Sequence, residues 1–225
     1  MLLAVAAPVE IRGVLAGLGT PDTPVPALWG VVQGGPRIHL LHTGVSKANA
    51  AGSLAGVLVD GHPYGAIVNL GIAGALPNAS PLRVGQAMTA AGCAFGDEGL
   101  QTAHEFQNLT KMGFPIDPSL GQMEVIPTHP DLQHVFRSFS DAVGVIATVS
   151  TCSGTNALAQ DIADRTGGMA ETMEGAALAL VARRRGVPFC EVRTISNLTG
   201  ERSAQQWDIR GAVNRLSDIV RAVIA

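Results

Sequence analysis

Short apolar runs bounded by glycine or proline recur along the chain: LLAVAA (2–7), ALWGVVQ (27–33), RIHLLHTG (37–44), AIVNLGIAG (66–74), GQAMTAAGCAF (85–95), AVGVIATVS (142–150) and PFCEVRTIS (188–196). Several are almost wholly apolar, which predicts strands covered on both faces. Patterns with helical period lie between them at 46–60, 129–139, 154–164, 172–185 and 208–225, and a further helix is expected to open at Pro8 and Glu10. Strand and helix alternate, so the chain reads as one α/β domain over 1–225 with a largely parallel sheet. One stretch breaks the rhythm. Residues 96–122 are polar and without clear period, and so long an irregular segment in a compact domain is usually functional or mobile.

Composition narrows the partners. With 225 residues, 47% of them hydrophobic, the chain can bury a large core as a single unit. A formal charge of −3 provides no basic footprint, so neither nucleic acid nor an anionic membrane surface is expected, and a small molecule is the default ligand. The opening MLLAVAAPVE has no basic residue before its apolar run and is interrupted by Pro8 and Glu10, so it is read as a first core strand rather than a leader. No run reaches the roughly 18 apolar residues of a membrane span. Cys93, Cys152 and Cys190 are odd in number and lack paired metal spacing, which suits reduced thiols in a cytoplasmic protein. The six histidines form no HxxEH or CxxC…H pattern, so no metal and no cofactor is expected.

Four places could carry chemistry. Glu10 follows the first strand at a helix start, where free backbone N–H groups favour a carboxylate; ordinary helix capping would explain it equally well. The turn LGIAGAL puts Gly71 and Gly74 at a strand's C-terminal end, where open α/β sheets bind ligands, although a lone GxxG is weak and lacks dinucleotide or Walker spacing. Met173 and Glu174 open an otherwise apolar helix, and a carboxylate there needs a cation or a hydroxyl partner; a structural ion pair is the plain alternative. Ser196 and Asn197 end an apolar strand about ten residues before the next helix, too far for capping to account for them. STCSGTN (150–156) has no nucleophile elbow and reads as a strand-to-helix turn, with Ser153 among the groups facing the same pocket.

Taken in order, APVEI, NLGIAGAL, ETMEGAALA and RTISN resemble the early carboxylate, NxGxAGxL turn, VEMEA-like helix start and R-x-I-S-[DN] strand end of the nucleoside phosphorylase and nucleosidase superfamily. Within it, ISNLTGERSAQQWDIRGAVNRL, STCSGT and the insert GDEGLQTAHEFQNLTKMGF look like the futalosine hydrolases. The resemblance implies a three-layer fold with a central mixed, largely parallel sheet flanked by helices. It also implies hydrolysis of the N-ribosidic bond of futalosine, releasing hypoxanthine on a route to menaquinone.

The roles implied by the resemblance are specific. Glu10 would activate water, Glu174 would hold the ribose hydroxyls with Met173 packed on the sugar, and Ile72, Ala73 and Gly74 would lie beside sugar and base. Val45, in TGVSK, is expected on the sugar side; Ser196 and Asn197 would meet the purine. Arg202, or residues of the insert, would take futalosine's distal carboxylate, and Trp207 would close over the ligand. Adenine-releasing nucleosidases often carry Asp where Asn197 stands; a neutral amide suits a 6-oxopurine, hence hypoxanthine. Proline and carboxylate in AAPVEIRG would repel phosphate, with Arg12 the one nearby cation that could recruit it. Family likeness further implies a homodimer or higher oligomer. A methylthioadenosine/adenosylhomocysteine nucleosidase, a phosphate-dependent phosphorylase and a non-catalytic nucleoside sensor stay open as alternatives.

Overall fold

The structure is a computed structural model in which residues 1–78, 82–122 and 124–223 are described. The chain runs β1 (Leu2–Val5), α1 (Pro8–Gly17), β2 (Val31–Gly35), β3 (Ile38–His42), α2 (Lys47–Val57), β4 (Ile67–Ala75) and β5 (Ala87–Phe95). It continues through β6 (Gly99–Gln101), β7 (Phe106–Asn108), β8 (Ile126–Pro127), α3 (Pro130–Arg137), β9 (Ala142–Thr148) and α4 (Asn156–Thr166). The last elements are β10 (Gly168–Thr172), α5 (Gly175–Arg184), β11 (Phe189–Leu198) and α6 (Ile209–Val223).

Among the described residues nine strands form one mixed sheet in the order β10-β9-β5-β11-β4-β1-β3-β2, with β8 added on β5. Strand β10 also pairs antiparallel with β4, so β10, β9, β5, β11 and β4 close into a ring. The middle strands are buried along most of their length because helices cover them on both sides. On one face Ile11, Val14 and Leu15 of α1 and Leu216, Ile219 and Val220 of α6 pack on Leu3, Val68 and Val192. On the other, Leu54 of α2 and Ala176, Leu178 and Ala182 of α5 pack on Leu2, Ile67 and Ile195. The expected three-layer α/β architecture with a mixed sheet is what the chain adopts.

Several local expectations need correction. The helix expected over 172–185 begins only at Gly175; residues before it form β10, whose ladder to β9 and β4 outweighs local helical pattern. The strand expected over 27–33 starts at Val31, since Trp29 sits at φ 64° and breaks the extended backbone before it. The 96–122 insert is not irregular throughout: β6 and β7 form a hairpin and Pro118–Leu120 a turn of 3-10 helix. It is tied down by Asp117 to Arg183 at 2.7 Å and by Phe106 under the Arg165 guanidinium, contacts far apart in sequence that no periodicity announces.

Candidate functional site

A cavity of about 520 Å³ opens at the C-terminal ends of β1, β4, β10 and β11, the edge where α/β sheets present side chains to ligands. Twelve residues expected at the site from the sequence line it, whereas Gly71 and the 96–122 insert do not. Glu10 enters from the first turn of α1 and Val45 from the loop before α2. Ile72, Ala73 and Gly74 come from β4, Met173 and Glu174 from the bend between β10 and α5, and Ser153 from the turn before α4. Ser196 and Asn197 come from β11, Arg202 and Trp207 from the loop that follows it. Neighbouring strand residues normally point to opposite faces. The register of β11 against β4 slips between Ile195 and Asn197, and this bulge brings both Ser196 and Asn197 to the cavity.

One end of the cavity is built from carboxylates around a buried guanidinium. Glu10 Oε2 accepts the N–H of Ala7 at 2.9 Å and Oε1 accepts the N–H of Ile72 at 2.8 Å, so helix start and strand end are locked together. Arg193, 1% exposed, donates from Nε to Glu191 Oε1 at 2.8 Å and from Nη2 to Glu174 Oε2 at 3.3 Å. A Cβ on Gly71 would collide with this guanidinium and lie 2.7 Å from Glu10 Oε1, so the residue between them has to be glycine. Glu174 Oε1 accepts the N–H of Ser46, a non-glycine residue held at φ 104°. Positive φ at a non-glycine residue is costly and tends to persist where a site requires it.

The electrostatics are lopsided. Three buried carboxylates, Glu10, Glu174 and Glu191, face a single buried cation. Burial pushes the Glu174 carboxyl above its usual range; Arg193 opposes this and Glu10 adds to it. For Arg193 burial alone would favour proton loss, but Glu191, Glu174 and Glu10 outweigh it and hold the guanidinium charged. The whole end therefore carries net negative potential.

The opposite end is built around side-chain amides. Gln205 Nε2 donates to the carbonyls of Gly200 at 2.8 Å and Ser153 at 3.1 Å, which fixes which way its amide points. Its Oε1 then receives Trp207 Nε1 at 3.2 Å, Arg202 Nη1 at 3.1 Å and Asn197 Nδ2 at 3.5 Å. Asn197 Oδ1 accepts from the Ser196 hydroxyl at 2.9 Å. The Asn197 amide is thus oriented by Ser196 and by the Leu198 carbonyl of its own strand, 3.3 Å away, together with Gln205. Arg202 lies 4.8 Å over the Trp207 ring at the cavity mouth, its charge matched by no carboxylate among the described residues.

Arg193, Gln205 and Glu171 are among the lining residues that the sequence does not announce. Arg193 hides in an apolar strand, where a lone arginine signals a buried ion pair; Gln205 sits in a loop whose composition gives no sign of it. Glu171 precedes Glu174 by three residues and lies just ahead of the helix expected over 172–185, on a strand the sequence does not announce. Arg12, the cation considered for phosphate, is exposed on α1 and does not line the cavity. The 96–122 insert, considered for the distal carboxylate, does not line it either; Glu98, Leu109 and Ile116 face a separate hollow against α2 and α5. Cys93, Cys152 and Cys190 are free thiols. Among the described residues no group of His, Cys, Asp and Glu is arranged to hold a metal, and no helix is long and apolar enough to cross a membrane.

The family model described as "Phosphorylase superfamily" matches residues 26–225. Futalosine hydrolase of Streptomyces coelicolor is 33% identical, the match covering 98% of this chain and 93% of that protein. Futalosine hydrolase of Acidothermus cellulolyticus is 31% identical over 99% of this chain and 89% of that protein. Among solved structures, a Helicobacter pylori nucleosidase variant with 5′-methylthioadenosine in its active site superposes with a TM-score of 0.79 at 19% identity, covering 99% of this chain and 96% of that one. At that identity the likeness is one of fold.

Proposed function

The chain belongs to the phosphorylase superfamily and, within it, to the futalosine hydrolase family, and from that premise we propose that it hydrolyses the N-ribosidic bond of futalosine. The products are hypoxanthine and dehypoxanthine futalosine, and the reaction serves menaquinone biosynthesis in the cytoplasm. The observation that carries this reading is the division of the cavity into an end where Glu10 and Glu174 surround a committed guanidinium and an end where Asn197 and Gln205 present amides.

Cleavage passes through an oxocarbenium-like transition state: positive charge builds on the ribosyl carbon while the departing base takes the bonding electrons. A preorganised site helps most where it matches those developing charges. Glu10 and Glu174 supply negative potential on the sugar side. Glu10 accepts a proton from the attacking water, its remaining lone pairs being free after two backbone hydrogen bonds. Glu174 receives the ribose hydroxyls, Met173 packs on the sugar, and Ile72 and Val45 close its flanks. Asn197 offers an amide to the N7 and O6 edge, with Ser196, Ser153, Ala73 and Gly74 around the base. A neutral amide does not protonate N7 fully, which suits a base anion already delocalised onto O6. Arg202, unmatched at the mouth, takes the distal carboxylate, and Trp207 covers the ligand.

Hydrolysis rather than phosphorolysis is supported by the cations at the site. Arg193 is committed to two carboxylates and Arg12 lies outside, so neither offers a phosphate cradle. A homodimer or higher oligomer is part of the proposal. It is supported by Val45, which lines the cavity yet is 46% exposed, as expected of a rim residue that a second subunit would cover.

The test is turnover of futalosine, aminodeoxyfutalosine and methylthioadenosine in phosphate-free buffer, with the released base identified by chromatography. Hypoxanthine from futalosine is expected. Preferred release of adenine from methylthioadenosine, or strict dependence on added phosphate, would overturn the assignment.

A further inference from the structure

Glu171 is a third cavity carboxylate, and the proposed reaction leaves it without a task. It is 7% exposed, lines the cavity, and its carboxylate oxygens accept from one residue only, the backbone N–H of Ser153 at 2.9 Å and the Ser153 hydroxyl. No ion pair to Lys, Arg or His compensates it among the described residues, and burial pushes its carboxyl above the usual range against the pull of the Ser153 bonds. Its place in the fold is at the amide end. In the closed ring Glu171 on β10 and Asn197 on β11 both pair with Gly74 of β4, from opposite sides. A Cβ on Gly74 would lie 2.7 Å from the Thr199 methyl and 3.3 Å from Asn197 Nδ2, so no side chain fits between the two strands at this point. The network connects them as well: Ser153, which holds Glu171, also holds Gln205 through its carbonyl, and Gln205 orients Asn197.

An ionised carboxylate is acceptor-only. Buried without a cation at the base end of the cavity, it calls for a ligand N–H. A 6-oxopurine has one, at N1 beside O6; a 6-aminopurine has a lone pair there instead and would be repelled. We infer that Glu171, positioned by Ser153, accepts the N1–H of the departing base and so makes the site selective for 6-oxopurines over 6-aminopurines. This rests on the nucleosidase reading above and assigns it a specificity-determining residue.

Binding of the free bases tests it without turnover. Calorimetric titration of the wild-type protein should give at least about tenfold tighter binding of hypoxanthine than of adenine, since a site built to hydrogen-bond an N–H penalises a ligand that lacks it. In Glu171→Gln, whose amide can donate or accept, that ratio should fall by about tenfold or more. For the wild type, 1-methylhypoxanthine, which lacks the N–H, should bind at least about tenfold more weakly than hypoxanthine. Equal weakening of both bases in Glu171→Gln, or undiminished binding of 1-methylhypoxanthine, would overturn the inference and leave Glu171 a structural anchor for the Ser153 turn. The two readings fail separately: absence of futalosine turnover by the wild type counts against the reaction, whereas an unmoved base preference counts against Glu171.

Discussion

Replacing Arg193 by Met isolates the part of the site that is both structural and electrostatic. Methionine fills much of the arginine's volume, so the change chiefly removes the charge and its hydrogen bonds. The loss falls on two carboxylates that are 0% and 4% exposed. Glu191 keeps the Asn69 amide at 3.1 Å and the Cys93 thiol at 3.0 Å, but Glu174 keeps only the Ser46 N–H at 3.3 Å. Removing one partner of a buried ion pair costs about 3–5 kcal/mol, because the remaining charge stays buried and uncompensated. Against a total stability of about 5–15 kcal/mol for a domain, that is a large share.

The loss should depend on pH, in a definite direction. Burial already raises the Glu174 carboxyl, and Arg193 is what restrains it. Without the guanidinium the folded mutant binds a proton that the unfolded chain gives up, so mutant stability recovers as pH falls through the raised folded pKa. Urea unfolding at pH 8 should place the mutant midpoint about 1–3 M below wild type. At pH 5 the gap should be smaller. Arg193→Lys should fall between the two, since an ammonium cannot fork to Glu191 and Glu174 together. A deficit under about 1 kcal/mol at pH 8, or one of equal size at both pH values, would refute the reasoning, because the buried pair would then be contributing little.

Two further outcomes are expected. Asn197→Ala should lower kcat for futalosine by about two to three powers of ten, the worth of one transition-state hydrogen bond, while circular dichroism melting stays near wild type; a loss of under about fivefold in steady-state assays would remove Asn197 from the mechanism. The acid limb of the kcat/KM profile should lie above the ordinary glutamate value of about 4.3, because burial raises Glu174 and the ribose contact needs it ionised. Activity should thus be present above that limb and lost as pH falls through it, and an acid limb at or below about 4.3 would contradict the role.

Much of the site was legible because family motifs and local chemistry coincide in it. Glu10 at a helix start, the glycines of LGIAGAL and the polar pair ending an apolar strand are visible along the chain, and the fold brings each to one cavity. The misreadings share a cause. Residues 168–172 carry no period that distinguishes strand from helix, and their conformation is set by β9 and β4, which lie elsewhere in the sequence. With that strand unread, Glu171 had no address. The insert likewise reads as loop because what orders it, Arg183 on Asp117 and Arg165 on Phe106, acts over long separations.

The sequence by itself determined the alternation of strands and helices, the positions of the carboxylates and the family, since these depend on period, turn chemistry and motif order. Only the tertiary structure decided how the charges are shared: that Arg193 serves Glu174 and Glu191, that Gln205 orients Asn197, and that closure of β10 onto β4 sets Glu171 opposite Asn197 across Gly74. Hydrogen bonds and ion pairs depend on distance in space, and a buried group's protonation and partner follow from what folding places beside it rather than from its neighbours along the chain.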